Sequence, residues 1–214
     1  MKGMKEYFDA EAELHDELFI QRMRLEEFYD EVENVLKMCS SKSSILVLGC
    51  GSGLEIERIK FPCDVVAVDI SEKMLKVLRE KKLYEKINLT TICASFLELD
   101  FENNKYDTVL SCYAMHHFSR EQKLNIYRKV YSCLKEGGVF INGDSMATSE
   151  EEEKRYMKEA EQIYKSEIIP FASLHIDVPL CWVHEKEVVS DAGFQDVKLI
   201  KEWTNTKLYL CTKN

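Results

Sequence analysis

From Glu6 to Leu36 apolar residues recur at helical spacing, at Leu14, Leu18, Leu25, Phe28, Val32 and Leu36, and predict two helices or one broken one. Beyond them, short apolar runs alternate with helix-period stretches. Ile45–Leu48, Val65–Asp69, Leu89–Ser95, Tyr106–Cys112 and Val139–Asp144 read as strands, and Leu54–Ile59, Ser71–Lys82 and Ser119–Leu134 as helices. Such alternation predicts right-handed crossovers and a mainly parallel sheet. Val197–Trp203 and Lys207–Thr212 then read as a terminal antiparallel hairpin closed by "TNT". Before it, "TSEEEEKRYMKEAEQIYKSE" reads as a helix, with Ser149 as its cap and Glu152 completing a capping box. Its glutamates suit a first helical turn better than an acidic binding site.

The 214 residues suit one core, so a single domain over 1–214 is expected, with 1–40 as a helical lid segment and 145–183 as an inserted cap. Hydrophobic residues make up 45% of the chain and charged residues 31%. No apolar run approaches the ~18 residues a membrane span needs. The acid-bearing "MKGMKEYFDAEAELHDEL" lacks the apolar core of a secretory signal, so a cytoplasmic location is expected. Eight cysteines are scattered without C-x-x-C spacing, which predicts reduced thiols, mostly packed as small hydrophobes. A net charge of −9 argues against nucleic acid as substrate and favours a small molecule. Oligomeric state has no signature in the sequence.

Gly49, Gly51 and Gly53 follow the first strand at alternate positions, where a ligand can lie directly on backbone. The pattern is G-x-G-x-G; the dinucleotide fingerprint would need glycine at Leu54. Glu55, in the first turn of the expected helix, would repel a pyrophosphate and tolerate a cation. Asp69 ends the second strand, where an acid grips unphosphorylated ribose hydroxyls. Its structural alternative, capping the helix at "SEKML", is weakened by Ser71, the better cap.

"LGCGSGLE", "VVAVDISEKML", "ICASFLELDF", "YDTVLSCYAMHHF" and "LKEGGVFIN", in this order and spacing, resemble the successive motifs of class I S-adenosylmethionine-dependent methyltransferases. The likeness runs from about Phe8 to the C-terminus and is strongest to small bacterial members of the ubiquinone/menaquinone-biosynthesis type. It implies an α/β fold with a Rossmann-like seven-stranded, mostly parallel sheet and an antiparallel terminal hairpin. A helical N-terminal lid and a helical insertion before strand six complete that expectation. The implied cofactor is S-adenosyl-L-methionine. Gly49, Cys50 and Gly51 would pack on its methionine moiety, Asp69 on the ribose and Ile70 on adenine. Ser95, where the family usually has aspartate, and the amide of Phe96 would bond the adenine ring, and the carbonyl of Ser111 the ammonium group. Val47 stands where the family commonly has an acid, so that anchor must come from elsewhere, Glu55 or backbone carbonyls.

Methyl transfer needs alignment above all, and a base where the nucleophile carries a proton. Three places offer histidine. His116 and His117 follow the fourth strand at its carboxyl end, with His117 the preferred base and His116 toward substrate. "YFDAEAELHD" resembles the family's leading pattern and makes Tyr7, Phe8 and His15 candidate lid residues over the substrate. His175 and Asp177 alternate in "SLHIDVPL", point to the same side, and would either orient a substrate or act as a second base with its orienter. A metal is not expected, because the fourth motif lacks the glutamates that metal-assisted relatives carry beside histidine.

The expected function is therefore methyl transfer from S-adenosylmethionine to an O, N or S atom of a small molecule. Three rivals stand beside it. A nicotinamide-dependent oxidoreductase is disfavoured by Leu54 and Glu55, and an RNA methyltransferase by the acidic charge. A cofactor-binding regulatory protein without turnover draws on Val47 and Ser95.

Overall fold

The computed structural model describes residues 2–22, 25–39, 44–166 and 176–214. Seven strands, β1 (Ser44–Leu48), β2 (Cys63–Asp69), β3 (Ile87–Cys93), β4 (Tyr106–Cys112), β5 (Leu134–Ser145), β6 (Asp196–Glu202) and β7 (Thr206–Thr212), form one sheet. Their order is β3-β2-β1-β4-β5-β7-β6. The first five are parallel, and β7 lies antiparallel between β5 and β6. This is the Rossmann-like sheet with a terminal hairpin that the alternation predicts.

Strand alternation builds a core on each face. Leu46, Val68, Val109 and Phe140 point to one side and meet Ile126, Tyr127 and Val130 of α4 (Arg120–Cys133) and Val188 of α6 (Trp182–Asp191). Ile45, Val47, Val65 and Ile141 point to the other, against Val32 and Leu36 of α2 (Glu26–Met38) and Leu75 and Leu78 of α3 (Glu72–Glu80). A buried polar cluster interrupts the apolar packing. Glu185 on α6 accepts hydrogen bonds from Lys123 Nζ at 2.7 Å, from Tyr209 Oη on β7 at 2.9 Å, and from the Tyr127 hydroxyl.

The leading helix is broken as expected, into α1 (Lys2–Glu11), a π-helical stretch at Glu17–Arg22, and α2. Four local expectations change. Leu54–Ile59 forms only a 3-10 turn at Ile56–Arg58, too short to nucleate an α-helix before Pro62. The fifth strand, expected from Val139, begins at Leu134 and runs through Gly137 and Gly138 with a register shift against β4. In α5 (Glu150–Ser166) Ser149 Oγ accepts the Glu152 N–H at 3.1 Å, but Glu152 in return takes the N–H of Thr148. The fourth change is α6, missed because Val183 is exposed and Cys181 at its N-cap offers no side-chain cap. Among the described residues no helix is long and apolar enough to cross a membrane.

Candidate active site

The loops that leave the carboxyl ends of β1, β2, β3 and β4 open into one cavity of about 460 Å³. That is the edge where open α/β sheets hold ligands, and the volume suits a nucleoside-sized molecule. Gly49–Gly51, Asp69 and Ile70, Ser95 and Phe96, and Cys112–Ala114 form one wall. Tyr7, Phe8 and Glu11 of α1, with His15 and Phe19, form the opposite one.

The glycine turn is shaped by backbone. Gly49 has φ 67°, and a Cβ there would stand 2.4 Å from that of Ala114. Its N–H and that of Cys50 both donate to the Val68 carbonyl, at 2.9 and 3.1 Å. Gly51 donates its N–H to Asp69 Oδ2 at 2.8 Å, while Asp69 Oδ1 accepts the N–H of Ser71 at the same distance. Ser71, and not Asp69, caps α3, accepting the Met74 N–H at 3.1 Å. Asp69 thus clamps the turn and still borders the cavity with unused lone pairs. Burial raises its pKa against the pull of those backbone donors.

Glu55 is 3% exposed, lines the cavity, and its Oε1 has no hydrogen-bond partner among the described residues. Burial pushes its pKa to about 8, so it is mostly protonated at neutral pH. An orphaned buried carboxyl beside the glycine turn fits a ligand that brings a positive charge there, as the ammonium of S-adenosylmethionine would. Among the described residues no lysine or arginine lines the cavity, and its carboxyl side chains are Glu11, Glu55, Asp69 and Asp177.

Ile70, Ser95 and Phe96 line the cavity as the resemblance implies. Ser111 is fully buried, and its hydroxyl donates to the Leu48 carbonyl at 3.0 Å; Cys112, the last residue of β4, lines the cavity together with Tyr113 and Ala114 beyond it. Tyr113 has φ 50° and its hydroxyl lies 3.0 Å from Thr206 Oγ1, which also lines the cavity.

His116 and His117 sit in a 3-10 turn after β4, their rings 3.9 Å apart. His116 Nδ1 donates to Asp144 Oδ1 at 2.6 Å, which leaves Nε2 directed elsewhere. Burial lowers the His116 pKa, but the Asp144 and Asp177 carboxylates outweigh it and hold the value above the usual range. His117 Nδ1 lies 3.1 Å from Asp177 Oδ1. The Val178 N–H donates to the His116 carbonyl at 2.8 Å and fixes the Asp177 segment beside both rings. Asp177 therefore pairs with His117; its expected partner His175 lies outside the described residues.

His15 reaches the glycine turn more than the histidine pair. It stacks on Phe19, and its Cε1 would be 3.5 Å from a Cβ on Gly51. The Ser52 hydroxyl, which donates to Asp16, accepts from His15 Nδ1 at 3.0 Å. Ser71 Oγ in turn donates to Asp9 on α1 at 2.6 Å. The N-terminal segment is thereby fastened over the cavity. Tyr7, beside His117 through Phe8, has its pKa raised to about 12 by burial and by Glu11.

Sequence reasoning missed Asp144, Glu11, Tyr113 and Thr206. For Asp144 a sign existed: a charged residue ending the otherwise apolar "VFINGD" run.

A glycine turn, an acid at the end of β2 and four strand ends opening on one cavity define a nucleoside-binding enzyme with a Rossmann-like sheet. Residues 45–138 match the methyltransferase domain family. A carboxy-S-adenosyl-L-methionine synthase of Campylobacter fetus is 27% identical over 87% of this chain and 86% of its own length. A SAM-dependent methyltransferase structure from Thermotoga maritima superposes with a TM-score of 0.66, covering 99% of this chain and all of that one at 17% identity. Magnesium protoporphyrin IX methyltransferase from Synechocystis, solved with bound SAH, superposes at 0.64 over 88% of this chain and 82% of its own, at 16% identity. The chain belongs to the class I S-adenosylmethionine-dependent methyltransferases. It is an enzyme, and S-adenosyl-L-methionine is its cofactor.

Proposed function

We propose that the protein methylates an O, N or S atom of a small molecule held between α1, the His116–His117 turn and Asp177. The observation that carries this reading is that the glycine turn and the His117–Asp177 pair line the same cavity. S-adenosylmethionine supplies a methyl carbon activated on a cationic sulfur. Gly49, Cys50 and Gly51 present backbone to its methionine part, Asp69 accepts from its ribose hydroxyls, and Ile70, Ser95 and Phe96 enclose its adenine. His117 holds and moves the acceptor's proton, with Asp177 fixing its ring. Tyr7 and His15 close the site from the N-terminal segment.

The name of the Campylobacter relative raises a second reading, in which the ligand is a carboxylated S-adenosylmethionine. The lining favours the uncarboxylated cation, since among the described residues no lysine or arginine stands there to pair with an added carboxylate, and Glu11, Asp69 and Asp177 would face it. The test is incubation of the purified chain with S-adenosylmethionine and panels of amines, phenols and thiols, read by mass spectrometry. Methylated acceptor together with S-adenosylhomocysteine supports transfer. Cofactor binding with no methylated product in any panel, or appearance of a carboxylated cofactor, overturns it.

A further inference from the structure

His116, His117 and Asp177 each place one donor atom within 4.8 Å of the other two. His116 Nε2 is 3.7 Å and His117 Nδ1 3.1 Å from Asp177 Oδ1. Ligand atoms about 2.1 Å from a zinc-sized ion stand about 3.0 to 3.4 Å apart in octahedral or tetrahedral geometry; the His117–Asp177 separation falls in that range, and the His116–Asp177 one exceeds it by a few tenths of an ångström that a side-chain rotation closes. The surroundings add a second, independent observation. His116 Nδ1 is held by Asp144, which is 1% exposed, in the carboxylate–histidine arrangement that orients metal-binding imidazoles. The Val178 N–H on the His116 carbonyl locks the third donor's segment to the first.

We propose that His116 Nε2, His117 Nδ1 and an Asp177 oxygen bind one divalent transition-metal ion, with Asp144 as the outer carboxylate. Two imidazoles and one carboxylate suit zinc, iron or a neighbouring first-row ion better than magnesium or calcium. The expectation of no metal rests on the missing glutamates beside His116 and His117; here the carboxylate arrives from a residue 60 positions downstream of His117. A second cluster, Glu153, Cys181 and His184, is a weaker candidate. There the Glu153 carboxylate is already engaged by the Cys181 N–H at 2.7 Å and by His184 Nδ1 at 2.8 and 2.9 Å.

Three protein ligands leave the ion positions for an acceptor oxygen, nitrogen or sulfur at the cavity wall. An acceptor hydroxyl bound there loses its proton to water and remains on the ion as the oxyanion. The ion then takes over the task assigned to the His117 imidazole. This role rests on the methyl-transfer reading; the binding of the ion does not.

The test strips the purified full-length chain with a chelator and titrates it with Zn²⁺ by calorimetry and with Co²⁺ by visible absorption. One ion per chain and a cobalt ligand-field spectrum are expected. Affinity should fall at least about tenfold in His117→Ala and Asp177→Asn, and about 10- to 100-fold in Asp144→Asn. Cys181→Ser should bind as the parent does. Asp177 is exposed, so Asp177→Asn is the variant that keeps the fold, checked by circular dichroism and retained cofactor binding. Binding that is absent, unaltered in Asp177→Asn, or lost in Cys181→Ser overturns the site. S-adenosylmethionine binding is titrated separately, so failure of the metal site and failure of the transferase reading are read from different curves.

Discussion

Asp69 holds Gly51 by its N–H at 2.8 Å, so the acid assigned to the ribose is also the clamp of the turn beneath it. Asp69→Ala is expected to weaken S-adenosylmethionine binding by roughly 1 to 3 kcal/mol and to lower the melting temperature as well, since two backbone donors lose their acceptor. Isothermal calorimetry beside thermal denaturation measures both. Unchanged affinity would remove Asp69 from the ribose.

Glu55 makes the unliganded protein sensitive to pH. An unfolded glutamate titrates near about 4.3; in the folded chain burial moves the value to about 8. Between those values the folded state holds a proton the unfolded state has released, so stability declines as pH rises through that window. Melting curves from about pH 5 to pH 8 are expected to show this slope in the parent and a shallower one in Glu55→Gln. Parallel curves would contradict the assignment.

Two neighbouring glycines should respond differently to alanine. At Gly49 the new Cβ would be 2.4 Å from Ala114, while at Gly51 the nearest atom would be His15 Cε1 at 3.5 Å. Both have positive φ, so both pay a conformational cost of about 1 kcal/mol, but Gly49→Ala adds a collision with a neighbouring strand end and should cost about 2 to 4 kcal/mol in all. Chemical denaturation of the two variants decides; equal midpoints would refute the difference.

The buried Lys123–Glu185 pair, 1% and 0% exposed, joins α4 to α6 and β7. Glu185→Ala leaves Lys123 uncompensated and strips two tyrosine hydroxyls of their acceptor, so a loss of about 3 to 5 kcal/mol is expected. The pair variant Lys123→Met/Glu185→Leu should recover most of it. Urea titrations give both values.

His117→Ala should lower the turnover number while leaving cofactor affinity as it is, because His117 stands with Asp177 and not on the glycine turn. Single-turnover kinetics with a competent acceptor measures this. Equal rates would place His117 outside the chemistry.

Much of the sheet was legible because each strand is a short apolar run with a turn at its end; Ile45–Leu48 is buried throughout. One wall of the cavity was legible too, since Gly49, Asp69 and Phe96 lie just beyond or at strand ends that the alternation locates. Ser111 stands near the end of the fourth strand as expected, and its side chain serves the sheet. The acceptor side resisted for a different reason. His117 meets Asp177 and His116 meets Asp144 across 60 and 28 residues, and no local period encodes which carboxylate a histidine finds. The start of β5 at Leu134 was missed because the apolar run begins only at Val139, and the register shift against β4 absorbs the residues before it.

Ser52 and Ser71, one in the glycine turn and one capping α3, hold the N-terminal segment down through Asp16 and Asp9. Anything leaving the cavity past α1 must first undo those two bonds. The two serine–aspartate latches act on the N-terminal segment, while Asp69 acts on the turn through its bond to Gly51. Replacing Asp9 or Asp16 is therefore expected to speed product release while the Asp69–Gly51 bond stays in place.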